Sequence, residues 1–414
     1  MAPFRWVWSA ALSGNSGRFA VVFVAGWEAY RLGGHSAFWP GLVSFLLLVP
    51  TMLFGLVSGS VADRVNRAGV AATGQLVNGA ACTACAGLVA AHALTLSLLM
   101  GMIAVVGIGN SIQAPAWQAL VPALVGRDRL LNAAAATRIA QQGSELVGPA
   151  AGTAVLALAG PAPTFGLCAA FYLGGVIMLT RVLPAAHPPA AQPRRYSLVR
   201  EVREGFSYIS GRSALRLLFV WVTLHCGLTM ASFGILPTLA SSNFHGQAAV
   251  YGLLLTAFGA GSTVGPLWVM AFGRARSPAF MLFVSGILSG APLAGLGLTH
   301  TAGVAFVMSG LAGLGQSVFM ALIYSSVMSN SSEALRGRIA SVQLSITTGV
   351  MGLASLGWGA LVSVASAGSI LVVPGLVFTV ACFAFVPRLR SLDERLAAGR
   401  DDIARQVVLP VTAE

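Results

Sequence analysis

The chain has 414 residues, of which 56% are hydrophobic and only 9% charged. A water-soluble fold of this length needs charge over much of its surface, so the composition excludes an ordinary soluble enzyme and makes lipid the surrounding solvent. The net charge of +12 would suit a nucleic-acid binder, but every basic residue is Arg and the arginines cluster in alternate loops, a signature of membrane topology instead.

Backbone groups in lipid must be satisfied within their own segment, which leaves helices or a closed barrel. Barrel strands alternate apolar and polar residues over short segments. The runs at 38–62 and 302–328 are longer and apolar all round, so the expected class is an all-α membrane protein. Spans are predicted at 5–30, 38–62, 69–91, 95–122, 131–159 and 162–183. After a long loop they resume at 214–240, 249–273, 278–299, 302–329, 335–365 and 369–387. Each holds roughly the 20 residues that cross a bilayer, about twelve spans in all. The first is too long for a signal-peptide core and has no basic leader. Arginines fill the loops at 63–68, 123–130, 181–213, 274–277 and 330–338 and both termini, whereas the opposite loops hold only Arg31. That bias predicts cytoplasmic termini and an even number of spans.

In chain order, the first span carries Asn15 and Arg18 within the membrane and Glu28 near its outer end. Glu28 is either an outer proton entrance or a solvated mouth residue beside Arg31. The loop after the second span reads Gly59-Ser-Val-Ala-Asp63-Arg64-Val-Asn-Arg67. Gly59 permits close helix contact, and Asp63 can accept hydrogen bonds from a helix N-terminus or an arginine, as a latch would. Cys82, Cys85, Cys168, Cys226 and Cys382 all fall inside apolar runs without metal-ligand spacing, and read as packing thiols. The fourth span offers Asn110 and Gln113 near mid-membrane.

The fifth span is the most informative. Arg138, Gln141, Gln142 and Glu145 stand at i, i+3, i+4 and i+7, on one helix face that Pro149 and Gly152 extend. Charge facing lipid costs about 3 kcal/mol or more, so this face must border protein or water, and its length suggests a cavity wall. At 1.5 Å per residue, Arg18 and Glu145 lie at similar depths, about 18 and 21 Å, so the two can pair. A buried carboxyl beside a guanidinium can exchange its proton as its surroundings change, which makes Glu145 the leading proton-coupling candidate, with Arg18 and Arg138 beside it. The other readings are a permanent ion pair locking two helices, or a contact for an anionic substrate.

The linker from 184 to 213 opens with a Pro/Ala-rich stretch. Leu198, Val199, Val202, Phe206 and Ile209 then share one helical face, predicting a helix on the cytoplasmic membrane surface. The expected units are therefore an N-terminal six-helix bundle at 1–183, the linker at 184–213, a C-terminal six-helix bundle at 214–389 and a cytoplasmic tail at 390–414. The second bundle contributes Gln316, Gln343 and His225; the histidine could relay protons or serve as a hydrogen-bonded structural residue. Its loop at 265–276 keeps Gly265, Arg274 and Arg276 but lacks an acid.

The Gly59–Arg67 loop resembles the signature loop of the major facilitator superfamily. Ser144, Gly148, Pro149 and Gly152 resemble that superfamily's antiporter motif, with Ser144 where a Gly is expected. Pro122-Ala-Leu-Val-Gly-Arg-Asp-Arg-Leu and Leu335-Arg-Gly-Arg-Ile look closest to its enterobactin-exporter and macrolide-efflux branch. The resemblance implies two pseudo-symmetric bundles rocking about a midplane site, and export in exchange for protons. No phosphate-binding loop, metal cluster or nucleophile elbow stands out, so no enzyme activity and no cofactor is expected. The expected partners are a small-molecule substrate, protons and the lipid bilayer, with no nucleic acid. The expected protein is a monomeric exporter of a siderophore or drug in a bacterial inner membrane. Uptake, lipid flipping and a non-transporting receptor or scaffold are the alternatives.

Overall fold

The computed structural model describes residues 2–62, 66–124, 130–183, 198–244, 248–272, 277–332 and 335–408. Regular structure among the described residues is helical throughout. The first half comprises α1 (Ala2–Leu32), α2 (Phe38–Ala62), α3 (Arg67–Ala90), α4 (Leu96–Leu124), α5 (Leu130–Ala159) and α6 (Pro161–Thr180). After the linker helix α7 (Leu198–Ser210) come α8 (Ser213–Leu228), a 3-10 stretch (Met230–Ile235), α9 (Leu236–Asn243), α10 (Ala248–Phe272) and α11 (Pro278–Leu298). The chain ends with α12 (Ala302–Ser329), α13 (Arg336–Leu361), α14 (Ala367–Ala384) and α15 (Leu389–Val408).

Eight helical stretches among the described residues are long and apolar enough to cross a membrane. The protein is thus a multi-pass membrane protein. α1, α3 and α5 have the length, but arginines, amides and small polar residues dilute their apolar character.

Packing divides the helices into two groups. α1 packs on α5 and α6, α3 on α4 and α6, and α2 on α4. In the second group α12 packs on α10 and α11, and α11 on α14. The groups meet chiefly through α2 against α13 and α5 against α10. At the end bearing the α1–α2 connection, one hydrophobic cluster runs through both groups, from Val21, Phe23 and Val24 to Leu239, Tyr251 and Leu254. Phe23 and Trp27 meet the Tyr251 ring at centroid distances of 5.4 and 6.5 Å. At the opposite end the core splits. One cluster, with Val7, Leu120 and Leu179, belongs to the first group, and another, with Leu215, Phe319 and Ile323, to the second. Among the described residues, the two groups share a hydrophobic core at one end and have separate cores at the other.

One expectation changes. The span predicted at 214–240 is broken into α8, the 3-10 stretch and α9. Pro237 at the start of α9 cannot donate a backbone hydrogen bond, and the chain tightens into 3-10 geometry before it. Thr229 and Ser232 hydroxyls donate back to the carbonyls of His225 and Leu228 around the break.

The linker helix α7 forms as expected and also packs on protein, while Phe206 of its predicted apolar face is 49% exposed. Ile209 is buried in the second core, Glu204 pairs with Arg338 of α13 at 2.5 Å, and the Tyr208 hydroxyl accepts from the Ser332 backbone N–H. The expected tail is a helix, α15, whose Leu392 and Leu396 enter the same core. Its Asp393 carboxylate accepts from the Ala279 N–H in the first turn of α11, where a negative charge is favoured.

Candidate functional site: a cavity between the two helix groups

A cavity of about 510 Å³ lies between the two groups. Its walls differ in chemistry. From the first group come Arg18 on α1, Asn110 on α4, and Arg138, Gln142 and Glu145 on α5, with Pro149 behind them. The second group presents Met230 and Phe233 from the 3-10 stretch, Phe258 from α10, Met320 from α12 and Met351 from α13. The charged residues among the described lining residues all sit on the first wall. Methionine and aromatic side chains on the second make an adaptable apolar surface.

Of the α5 stripe, Arg138, Gln142 and Glu145, at i, i+4 and i+7, form the cavity wall, while Gln141 at i+3 lies outside it. Glu145, the one carboxylate among the described lining residues, accepts a hydrogen bond from the Ser262 hydroxyl of α10 at 2.5 Å. Gln142 donates to the Ser262 carbonyl at 3.2 Å, and the Thr263 hydroxyl donates to the Gln142 carbonyl at 3.0 Å. Gly259 makes this crossing possible, since a methyl group there would run into the Glu145 carbonyl.

Arg18 and Glu145 line the same cavity, but no ion pair joins them among the described residues. The guanidinium of Arg18 lies 4.8 Å from the Phe19 ring, and its buried Nε has no hydrogen-bond partner. Arg138 reaches across to the second group, 5.1 Å from the ring of Tyr324, a cation–π contact. In place of the alternative of a locking ion pair, the described residues show a hydroxyl contact between helix groups. Equal depth brought the two residues to one cavity, but side-chain direction sends Glu145 to α10.

The remaining expected residues divide. Asn110 and Gln316 line the cavity, and both amide atoms of Gln316 lack a partner. Gln113 is buried behind Asn110, donating to it at 3.0 Å and accepting from the Trp117 indole. Asn15 turns its amide back to the Ala11 carbonyl, and Gln141 and Gln343 lie outside the lining. His225 is buried outside the cavity, bonded to Ser289 at 2.9 Å and stacked on Phe319. Glu28, expected to be solvated in the mouth reading, is only 2% exposed and pairs with Arg31 at 2.5 Å.

The antiporter-like segment is split between two duties. Ser144, Gly148 and Gly152 face α1: the Ser144 hydroxyl reaches the Leu12 carbonyl at 3.1 Å, and Gly152 abuts Phe23. A methyl group on Gly148 would lie 2.5 Å from the Ser16 carbonyl oxygen. Pro149 turns to the cavity. Of the signature loop, Asp63 and Arg64 lie outside the described residues; Gly59 falls within α2 and Arg67 begins α3. All five cysteines are free and buried, as packing thiols would be.

Sequence reasoning missed Ser262, Thr263 and Tyr324. Hydroxyls on an apolar helix carry no charge signal, and which of the many serines meets Glu145 depends on helix pairing.

The model of a family of transmembrane secretion effectors matches residues 1–411. The chain is similar to the enterobactin exporter EntS of Citrobacter koseri, 30% identical over 281 residues that cover 66% of either protein. It is equally similar to EntS of Escherichia coli O139:H28, 30% identical over 236 residues covering 56% of this chain and 55% of that one. The matches thus span less than two-thirds of these relatives' length. Among solved structures, a POT family transporter in complex with 5-aminolevulinic acid superposes with a TM-score of 0.75 at 13% identity, covering 94% of this chain and 96% of that one. The human organic anion transporter MFSD10 superposes with a TM-score of 0.62 at 16% identity, covering 92% and 98%. At such identities the likeness is one of fold.

Proposed function

Because the chain belongs to the transmembrane secretion effector family of the major facilitator superfamily, we propose that it is a proton-coupled exporter. In this reading about twelve spans form two six-helix bundles in a bacterial inner membrane, with both termini in the cytoplasm. The end where the core is divided then faces the cytoplasm, and the cavity receives cargo from that side. Rocking of the bundles about the cavity would present it to the other side. The cargo is a small amphipathic molecule, a siderophore or a drug. Its oxygen-rich end would meet Arg18, Arg138, Asn110 and Gln142, and its apolar body the methionine and phenylalanine wall.

One observation carries the proton coupling. Glu145 is the carboxylate of the cavity, and it touches the opposite bundle through Ser262. Its charge state therefore bears on cargo at the place where the two bundles meet. The similarity to enterobactin exporters favours a siderophore as the first cargo to try.

The test is flux in proteoliposomes under an imposed pH gradient, with enterobactin and a macrolide as trial cargoes. Cargo should move against the direction of proton entry, and Glu145→Gln should abolish gradient-driven movement while the protein remains folded. Cargo moving with protons, or a fully active Glu145→Gln variant, would refute the reading.

A further inference from the structure

Among the described residues, Ser262 is where the second bundle answers the carboxyl of Glu145. It is 1% exposed, and its hydroxyl lies 2.5 Å from the Glu145 carboxylate and 3.1 Å from the Gly259 carbonyl of its own helix. A hydroxyl has a single proton to donate and lone pairs to accept with. Facing an ionised Glu145, that proton goes to the carboxylate. Facing a protonated Glu145, the hydroxyl accepts the acid's proton in a hydrogen bond and turns its own to the Gly259 carbonyl. Both states are satisfied, and no proton changes owner.

An arginine or lysine in this place would bind only the ionised form and release the helix on protonation. The described residues around Glu145 supply no such partner from α10. The charged groups near it are Arg18 from α1 and Arg138 on α5 itself, while α4 presents Asn110 and α12 presents Tyr324. The bonds beside the carboxyl do not depend on its charge, since Gln142 and Thr263 are joined through neutral groups.

We propose that Ser262 is the positioning residue that keeps α5 and α10 in contact through both protonation states of Glu145, its hydroxyl reversing between the carboxylate and the Gly259 carbonyl. The proton can then be loaded and unloaded without parting these helices at Glu145, and the contact serves as a pivot about which their two ends rock. This inference rests on Glu145 as the coupling carboxyl.

Infrared difference spectroscopy of the full chain in lipid, titrated across pH, reads the Glu145 carboxyl band, identified by its loss in Glu145→Gln. Ser262→Ala should displace the band's frequency and move its titration midpoint to higher pH, by about tenfold in proton concentration, the difference between the charge-assisted hydrogen bond to the carboxylate and the neutral one to the acid. Ser262→Thr, which keeps the hydroxyl, should restore both. The same variants compared for pH-dependent flux should shift together with the spectrum. A Ser262→Ala band unchanged in frequency and midpoint would overturn the role of Ser262 while leaving Glu145 as the coupling group. If instead no carboxyl band is lost in Glu145→Gln while that variant still exchanges protons for cargo, the underlying reading falls.

Discussion

At the scale of single residues, the site depends on which polar groups meet water and which meet protein. Glu145 and Arg18 share the cavity, whereas His225 is enclosed by Ser289, Phe319 and Phe378. We therefore expect His225→Leu to lower thermal stability in detergent by only about 0.5–1.5 kcal/mol, for the lost bond to Ser289, whose hydroxyl keeps its donation to Thr229. The pH profile of transport should stay that of the parent; a displaced profile would return His225 to the proton pathway. Arg18→Gln should raise the cargo concentration needed for half-maximal flux without unfolding the protein, because its guanidinium has no ion pair to lose. Unchanged cargo dependence would remove Arg18 from the binding surface.

At the scale of elements, close approach matters more than charge. Gly148 lets α1 lie against α5, and Gly148→Leu should reduce the yield of folded protein, checked by size-exclusion profile. The docked linker helix makes a second prediction. Glu204 and Arg338 are partly exposed, so reversing either charge should loosen α7 by only about 0.2–1 kcal/mol. Limited proteolysis in the linker should quicken in Glu204→Arg and in Arg338→Glu, and slow again when both are exchanged. Helix positions were legible because apolar runs in lipid admit little else, and the α2 limits at Phe38 and Ala62 match those predicted. The break before Pro237 was not, since glycine and proline are common in membrane helices and only packing decides which of them interrupts one. The docking of α7 was likewise hidden: its apolar face could suit lipid or protein, and Arg338 lies far away in the sequence.

At the scale of the whole molecule, the two helix groups share a core at one end and have separate cores at the other. The Arg138–Glu145 stripe announced the first wall of the cavity through its periodicity. The second wall has neither charge nor regular spacing, and Met230, Phe233, Met320 and Met351 come together only through the fold. Alternating access requires the shared core to part as the separated end closes, and proton binding at Glu145 should bias that equilibrium.

Distances between paired spin labels across α5 and α10 test this most directly. Ile139 with Leu267 reports one end and Leu158 with Leu253 the other, all four being exposed positions. With cargo present, a change of pH should shift the two distance distributions in opposite senses, and Glu145→Gln should leave both insensitive to pH. Distances that stay fixed, that change together, or that respond to pH equally in the Glu145→Gln variant would contradict the account.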